Sequence, residues 1–348
     1  MPLIFFGTLV LLLIGGEVTA RLLYPQDDAA EPCELHTPAG SRYTPFCTSH
    51  TKVWEGPWVT QHFNDCGYRT EEPCKPRPSG ALRVVVLGSS TARGALVNYP
   101  ESFAARASAF FTRRCRALVD FQNLGTEPPD VDRIDRRMKE AMALHPAAIV
   151  MTVGPYDLIH LMDPPHPPGQ AAPDAHERID LRWFVNRLRD SRLFLLMQYY
   201  LYRDPAFQVR AFLLNGDPAD YVRQPLSPAW QKRVNAFGDL LGRMSAQADV
   251  PLLVVYIPER AQAALAKEEP DPPGIDPFVL QRALRRVASA HDAVFLDSTP
   301  DFAQAADFEG LFYLTDGHPR EGGHAAIAET VESGLLAEPA FAACGPES

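Results

Sequence analysis

Lysine is scarce in this 348-residue chain: five of its 33 basic residues are Lys and the rest are Arg. Acidic side chains outnumber basic ones 43 to 33, for a formal charge of −10. That balance argues against the basic surface on which phosphate binding leans, so no nucleic-acid partner is expected. It identifies no substrate. The shortage of Lys accompanies 33 Pro and abundant Ala, a pattern of codon bias rather than of function. Also missing is any C-x-x-C pair, and with it the spacing of zinc ribbons and thioredoxin-type redox sites. No metal and no cofactor is expected.

No uncharged apolar run reaches the roughly 20 residues of an ordinary membrane span. The nearest is residues 2–16, mostly Leu, Ile, Val and Phe, followed by Val18-Thr19-Ala20. Those small residues permit cleavage after Ala20. A cleaved signal peptide and a short retained membrane anchor both fit residues 1–20, and both mean export, to the periplasm or to the outer side of a membrane. A buried core helix is the alternative. The basic residues that ordinarily precede such a run are missing, which fits a natural start upstream of Met1.

Cysteine usage points the same way. Cys33, Cys47, Cys66 and Cys74 crowd together, while Cys115 and Cys344 lie far apart. Behind an exported N-terminus this reads as disulfides formed in an oxidising compartment. Spacing leaves the pairing open; the expectation is two bridges within the first four and Cys115 with Cys344, against reduced buried thiols. Residues 21–80 are rich in Pro, Asp, Glu, Thr and Cys and show no strong period. They are expected to form an irregular, disulfide-tied segment packed against a main domain over 81–338, with a short tail over 339–348.

From Arg83 the texture changes. Apolar or β-branched runs at 84–87, 118–124, 147–153, 252–257 and 293–296 read as strands, and three are nearly continuous, as in parallel strands covered on both faces. Between them, Phe103, Ala107, Phe110 and Phe111 recur at helical spacing, as do Val131, Ile134 and Met138. Trp230, Val234, Phe237, Leu241 and Met244 make another stripe, and Ile327, Val331 and Leu335 a last one. Strands alternating with helices define a doubly wound α/β fold with a five-stranded, mostly parallel sheet in the flavodoxin-like order 2-1-3-4-5. An insertion over about 158–226, Pro-rich and then helical and aromatic, follows the third strand. It serves either as a lid or substrate wall, or merely as extra helices over the sheet.

Two motifs carry chemistry. Gly88-Ser89-Ser90 ends a buried strand and turns toward a helix, presenting a hydroxyl at the sheet's C-terminal edge beside free backbone N–H groups. Serine needs a base to become a nucleophile; on its own the motif is more often a simple cap. Near the end stands Thr315-Asp316-Gly317-His318-Pro319. Asp316, two residues before His318, can hold one imidazole tautomer and leave the other nitrogen to face Ser90. The alternatives are a solvated loop or a metal site shared with His324.

Taken together the motifs resemble the SGNH (GDSL-like) hydrolase family. Gly88-Ser89-Ser90-x-x-x-Gly94, Asn123-Leu124-Gly125, Gly154-Pro155-Tyr156-Asp157 and Asp316-Gly317-His318-Pro319 look like its four sequence blocks in order, over about 82–336. The resemblance implies a hydrolase or acyltransferase acting on an ester. Ser90 would be the nucleophile, His318 the base and Asp316 its orienter, with the Ser90 and Gly125 N–H groups lining the oxyanion hole. Combined with an exported N-terminus, the expected substrate is an acylated carbohydrate or lipid of the cell envelope.

Two positions depart from the pattern. Ser89 replaces the usual Asp, and Tyr156 stands where the family has an oxyanion-binding Asn. Loss of one such donor costs roughly 2.7–4 kcal/mol. Tyr156 either substitutes for it, belongs to a slow or specialised enzyme, or marks a binding protein that has lost catalysis. Of the remaining candidates, His160, Asp163 and His166 read as a solvated loop and Arg93 as a helix cap before an anion contact. Asp157 is expected to brace its loop and Asp297 to be a turn residue.

Overall fold

The computed structural model describes residues 2–24, 32–37, 40–115, 117–126, 131–161, 191–267 and 273–344. The chain opens with helix α1 (Pro2–Leu23), followed by two antiparallel hairpins, β1 (Glu34–Thr37) with β2 (Gly40–Tyr43) and β3 (Thr48–Thr51) with β4 (Val59–His62). The main domain runs β5 (Leu82–Leu87), α2 (Ser90–Arg93), α3 (Phe103–Cys115), β6 (Val119–Asn123), α4 (Val131–Ala143), β7 (Ala148–Val153) and α5 (Pro155–His160). After the insertion helices α6 (Arg192–Tyr202) and α7 (Pro205–Leu213) come α8 (Pro228–Ser245), β8 (Leu252–Tyr256), α9 (Arg260–Lys267) and α10 (Val279–Ser289). The chain closes with β9 (Val294–Asp297), α11 (Thr299–Gln304) and α12 (Glu321–Leu336).

The five strands β5 to β9 form one sheet in the order β6-β5-β7-β8-β9, every pair parallel. This is the expected 2-1-3-4-5 arrangement. β7 and β8 are buried at every position and β5 at all but its first, because helices cover both faces. α3 packs with α12 on one side, and α8 packs with α10 and α4 on the other. Phe103, Ala107 and Phe111 are buried on α3, and Trp230, Val234, Phe237, Leu241 and Met244 on α8. Met138 on α4 and Ile327, Val331 and Leu335 on α12 are buried too.

β6 is buried although it carries Asp120 and Gln122. Arg83 Nε on β5 donates to Asp120 Oδ2 at 2.7 Å, and Gln122 Nε2 donates to Asp120 Oδ1 at 2.7 Å. Burial pushes the Asp120 carboxyl up, and these two partners oppose it. Asn64 Nδ2 donates to Gln122 Oε1 at 3.0 Å, so the cysteine-rich segment seals this polar edge. A buried polar group that keeps its hydrogen bonds avoids most of the desolvation penalty.

That segment is more ordered than its composition indicates. Its two hairpins were not legible because four-residue strands are too short to show alternation. They are held by the Cys33–Cys47 bridge and by Tyr43 stacked on Phe63, ring centroids 4.2 Å apart. Helix α1 continues past the apolar run, where Glu17 and Arg21, one turn apart, pair at 2.6 Å. Its residues Ile4–Leu23 are long and apolar enough to cross a membrane. The other bridges are Cys66–Cys74 and Cys115–Cys344, giving the expected division of the six cysteines.

Candidate active site

β5 delivers the chain to Gly88, whose φ of +142° belongs to glycine alone. A Cβ there would also collide with Thr152 Oγ1 and Ala92 Cβ. Ser89 is extended, and Ser90 opens the single turn α2, which Gly94 closes in a left-handed conformation. Ser90 N–H is thus a first-turn helical donor with no intrahelical acceptor.

The second half of the site is the turn before α12. Tyr313 N–H donates to the His318 carbonyl at 3.0 Å, and Gly317 has φ +89°. This tight reversal brings Asp316 Oδ1 to 2.6 Å from His318 Nδ1 and 3.1 Å from the His318 N–H. On the other side of the ring, His318 Nε2 lies 2.7 Å from Ser90 Oγ, across 228 residues of sequence. Burial alone would raise the Asp316 carboxyl, but its hydrogen bonds and the His318 charge outweigh this and hold it below the usual carboxylate range. An ionised Asp316 accepts a hydrogen bond from Nδ1–H, which leaves the Nε2 lone pair for the serine O–H. This arrangement can serve as nucleophile, general base and orienter.

Neither half stands unaided. Glu55, between β3 and β4, accepts four hydrogen bonds from the histidine turn. They come from Leu314 N–H at 2.8 Å, Thr315 N–H at 2.8 Å, Thr315 Oγ1 at 2.7 Å and Asp316 N–H at 3.1 Å. Trp54 Nε1 donates to Thr315 Oγ1 at 2.9 Å. The serine turn is held from the same segment. Buried Arg69 donates to the carbonyls of Arg93 (2.7 Å), Gly94 and Val97, and Gln61 Nε2 donates to the Ala95 carbonyl at 3.0 Å. No local pattern marks these four residues: Glu55 and Trp54 act on a loop about 260 positions away, and Arg69 and Gln61 on a turn 24 to 34 positions away.

The remaining candidates divide plainly. Gly125 packs against α2 so closely that a Cβ would meet Arg93 N at 2.5 Å. Its N–H donates to Asn123 Oδ1 at 3.0 Å, and Asn123 Nδ2 donates to the Ala92 carbonyl at 2.8 Å. Asn123 therefore bridges the serine helix to this glycine. Tyr156 sits in the first turn of α5, half exposed, its ring 4.3 Å from that of His160. Asp157 accepts from Gly154 N–H at 2.7 Å and so braces the start of α5; burial pushes its carboxyl up, and the neighbouring Ser89 opposes that. Arg93 is buried, donates to the Tyr43 hydroxyl and covers its ring, so it anchors the hairpins rather than a ligand. Asp297 caps Thr299 N–H at 3.0 Å, a turn role. His324 is buried, accepts from Phe103 N–H at 3.4 Å and stacks on Phe103. Burial and then the Arg69 charge hold its pKa down at about 3, so it is neutral. Asp163 and His166 lie outside the described residues.

No family model and no curated protein matches the chain. Solved structures do. An α/β hydrolase from the metagenome of Lake Arreo, Spain, is 15% identical with TM-score 0.42, over 76% of this chain and 96% of its own. A lipolytic G-D-S-L family member from Veillonella parvula is 11% identical with TM-score 0.41, over 74% and 100%. An acetyl xylan esterase is 11% identical with TM-score 0.42, over 73% and 100%. Likeness at this level adds nothing to the functional argument. The doubly wound parallel sheet stands on its own strand order, and the chemistry rests on the residues of this chain.

Proposed function

We propose that the chain is an SGNH-type serine esterase, exported and membrane-tethered, acting on an acyl ester of a cell-envelope glycan or lipid. The observation that carries the reading is the continuous path Ser90 Oγ to His318 Nε2 at 2.7 Å and His318 Nδ1 to Asp316 Oδ1 at 2.6 Å. Ser90 Oγ bonds to the ester carbonyl carbon while His318 Nε2 takes its proton. The tetrahedral oxyanion is received by Ser90 N–H, with Gly125 N–H turning from Asn123 and the Tyr156 hydroxyl as further donors. Collapse expels the alcohol, which takes the proton from His318, and leaves an acyl-serine. Water then releases the acid and restores Ser90; an acceptor hydroxyl in its place makes the enzyme an acyltransferase. Three disulfides support an oxidising compartment, and α1 supports attachment to a membrane.

A fluorophosphonate probe tests the reading. The wild type is labelled and Ser90→Ala is not. Absence of label from both would return the site to a non-catalytic binding role, the reading that Tyr156 and the occupied Gly125 N–H favour.

A further inference from the structure

Of the two described insertion helices, α7 buries Gln208 and Val209, whereas α6 buries almost none of its apolar side chains. α6 reads RLFLLMQYYLY, yet Arg192 is its one buried residue. Met197, Tyr200 and Leu201 are 50%, 63% and 39% exposed, and Leu214 at the end of α7 is 87% exposed. Met197, Tyr200 and Leu201, at i, i+3 and i+4, share one face of α6, and an exposed apolar face of this kind marks contact with another apolar phase.

What α6 is attached to indicates that phase. Glu17 of α1 accepts from the Arg192 and Leu193 N–H groups at 3.1 and 3.0 Å and from Ser191 Oγ at 2.7 Å. Leu193 lies against Gly16, where a Cβ would meet its Cδ2 at 3.1 Å. At the other end, Tyr199 of α6 and Tyr24, just past α1, both meet the Trp54 ring edge-on, at 5.4 and 6.1 Å. α6 therefore runs alongside the last two turns of the apolar helix and begins about 10 Å back from its end. Whatever depth α1 takes in a bilayer, the bare face of α6 continues its surface. Tyr24, Trp54 and Tyr199 are side chains of the type enriched where membrane meets water. Trp54 also bonds Thr315, the residue before Asp316, so the same indole joins this aromatic group to the histidine turn.

We propose that α6 and α7 form a second, monotopic contact with the lipid bilayer that lays the Ser90–His318 site at its surface. The acyl ester it cleaves then belongs to an amphiphile held in the same leaflet. The substrate half rests on the esterase reading; the membrane contact does not.

All six cysteines are in disulfides, so one added cysteine gives a unique thiol. Met197→Cys, Leu201→Cys and Leu214→Cys of the full chain are labelled with an environment-sensitive fluorophore. They are reconstituted in phosphatidylcholine–phosphatidylglycerol vesicles carrying doxyl-labelled lipid. The expected result is blue-shifted, strongly quenched emission at all three positions and neither effect at Asp249→Cys, exposed beside the start of β8. Unquenched emission at the three, or equal quenching at Asp249→Cys, overturns the membrane contact. For the substrate, the rate on para-nitrophenyl palmitate embedded in vesicles is divided by the rate on soluble para-nitrophenyl acetate. Leu201→Glu is expected to lower this ratio about tenfold by weakening interfacial seating; an unchanged ratio overturns the substrate half. Hydrolysis of neither ester by the wild type removes the esterase reading and the substrate half with it, while the fluorescence decides the contact independently.

Discussion

Replacing Glu55 by Ala takes from the histidine turn the carboxylate that receives Leu314 N–H, Thr315 N–H, Thr315 Oγ1 and Asp316 N–H. Hydrogen bonds to a charged acceptor contribute about 1.5–3 kcal/mol each when buried, and less where water can replace the partner. Glu55 is only partly buried, so about 2–3 kcal/mol is a reasonable total for the four. Released as freedom of residues 314–316, that energy lowers the population in which Asp316, His318 and Ser90 are aligned by about 30- to 150-fold at most. A drop in kcat of about 10- to 100-fold follows, with KM for a small soluble ester unchanged, because Glu55 touches the turn and not the acyl group. Glu55→Gln keeps Oε1 as an acceptor but turns an amide donor toward Leu314 N–H, so its loss is intermediate. The assay is steady-state hydrolysis of para-nitrophenyl acetate, with thermal unfolding run in parallel. A Glu55→Ala enzyme that melts normally and keeps kcat within about twofold would refute the brace.

Other expectations follow from the same contacts. Asp157→Asn retains an oxygen for Gly154 N–H, and since burial already disfavours the charged acid, its urea unfolding free energy stays within about 1 kcal/mol of wild type. Asp157→Ala strips Gly154 N–H of its acceptor and costs about 1–3 kcal/mol in the same measurement. Glu259, bonded by the Tyr221 hydroxyl at 3.1 Å, has its carboxyl pushed by burial from 4.5 up to about 7. The folded state therefore holds a proton that the unfolded chain has lost. Stability falls as pH rises through that window, by at most about 1.4 kcal/mol per pH unit, and levels off above it. Glu259→Gln should remove this fall, so the difference in melting temperature between variant and wild type grows from about pH 4.5 to about pH 7 and then stays constant. The Cys115–Cys344 bridge closes a span of 229 residues. Replacing both cysteines by Ser lowers the unfolding free energy by about 5 kcal/mol on the chain-entropy argument, seen as a lower urea midpoint.

β5, β7 and β8 were legible because each is a short apolar run covered on both faces, and that requirement leaves its mark within five or six consecutive residues; β6, with Asp120 and Gln122, and the edge strand β9 show it less clearly. Ser90, Asp316 and His318 were legible as parts of local turns, each with its own glycine. Nothing local announces Glu55, Arg69 or Gln61, whose roles exist only where the hairpins meet two distant loops. The hairpins themselves were hidden by strands of four residues, and the short α9 and α11 by the same brevity.

Hydrophobic periodicity and turn chemistry are properties of neighbours in the chain, so composition and pattern by themselves determined the doubly wound sheet, its strand order and the turns that carry the serine and the histidine. Whether those turns meet, what clamps them together and which apolar helix is left bare are relations between residues far apart in the chain. Only the packed molecule decides them, because a hydrogen bond or a buried face depends on distance in space and not on separation along the backbone.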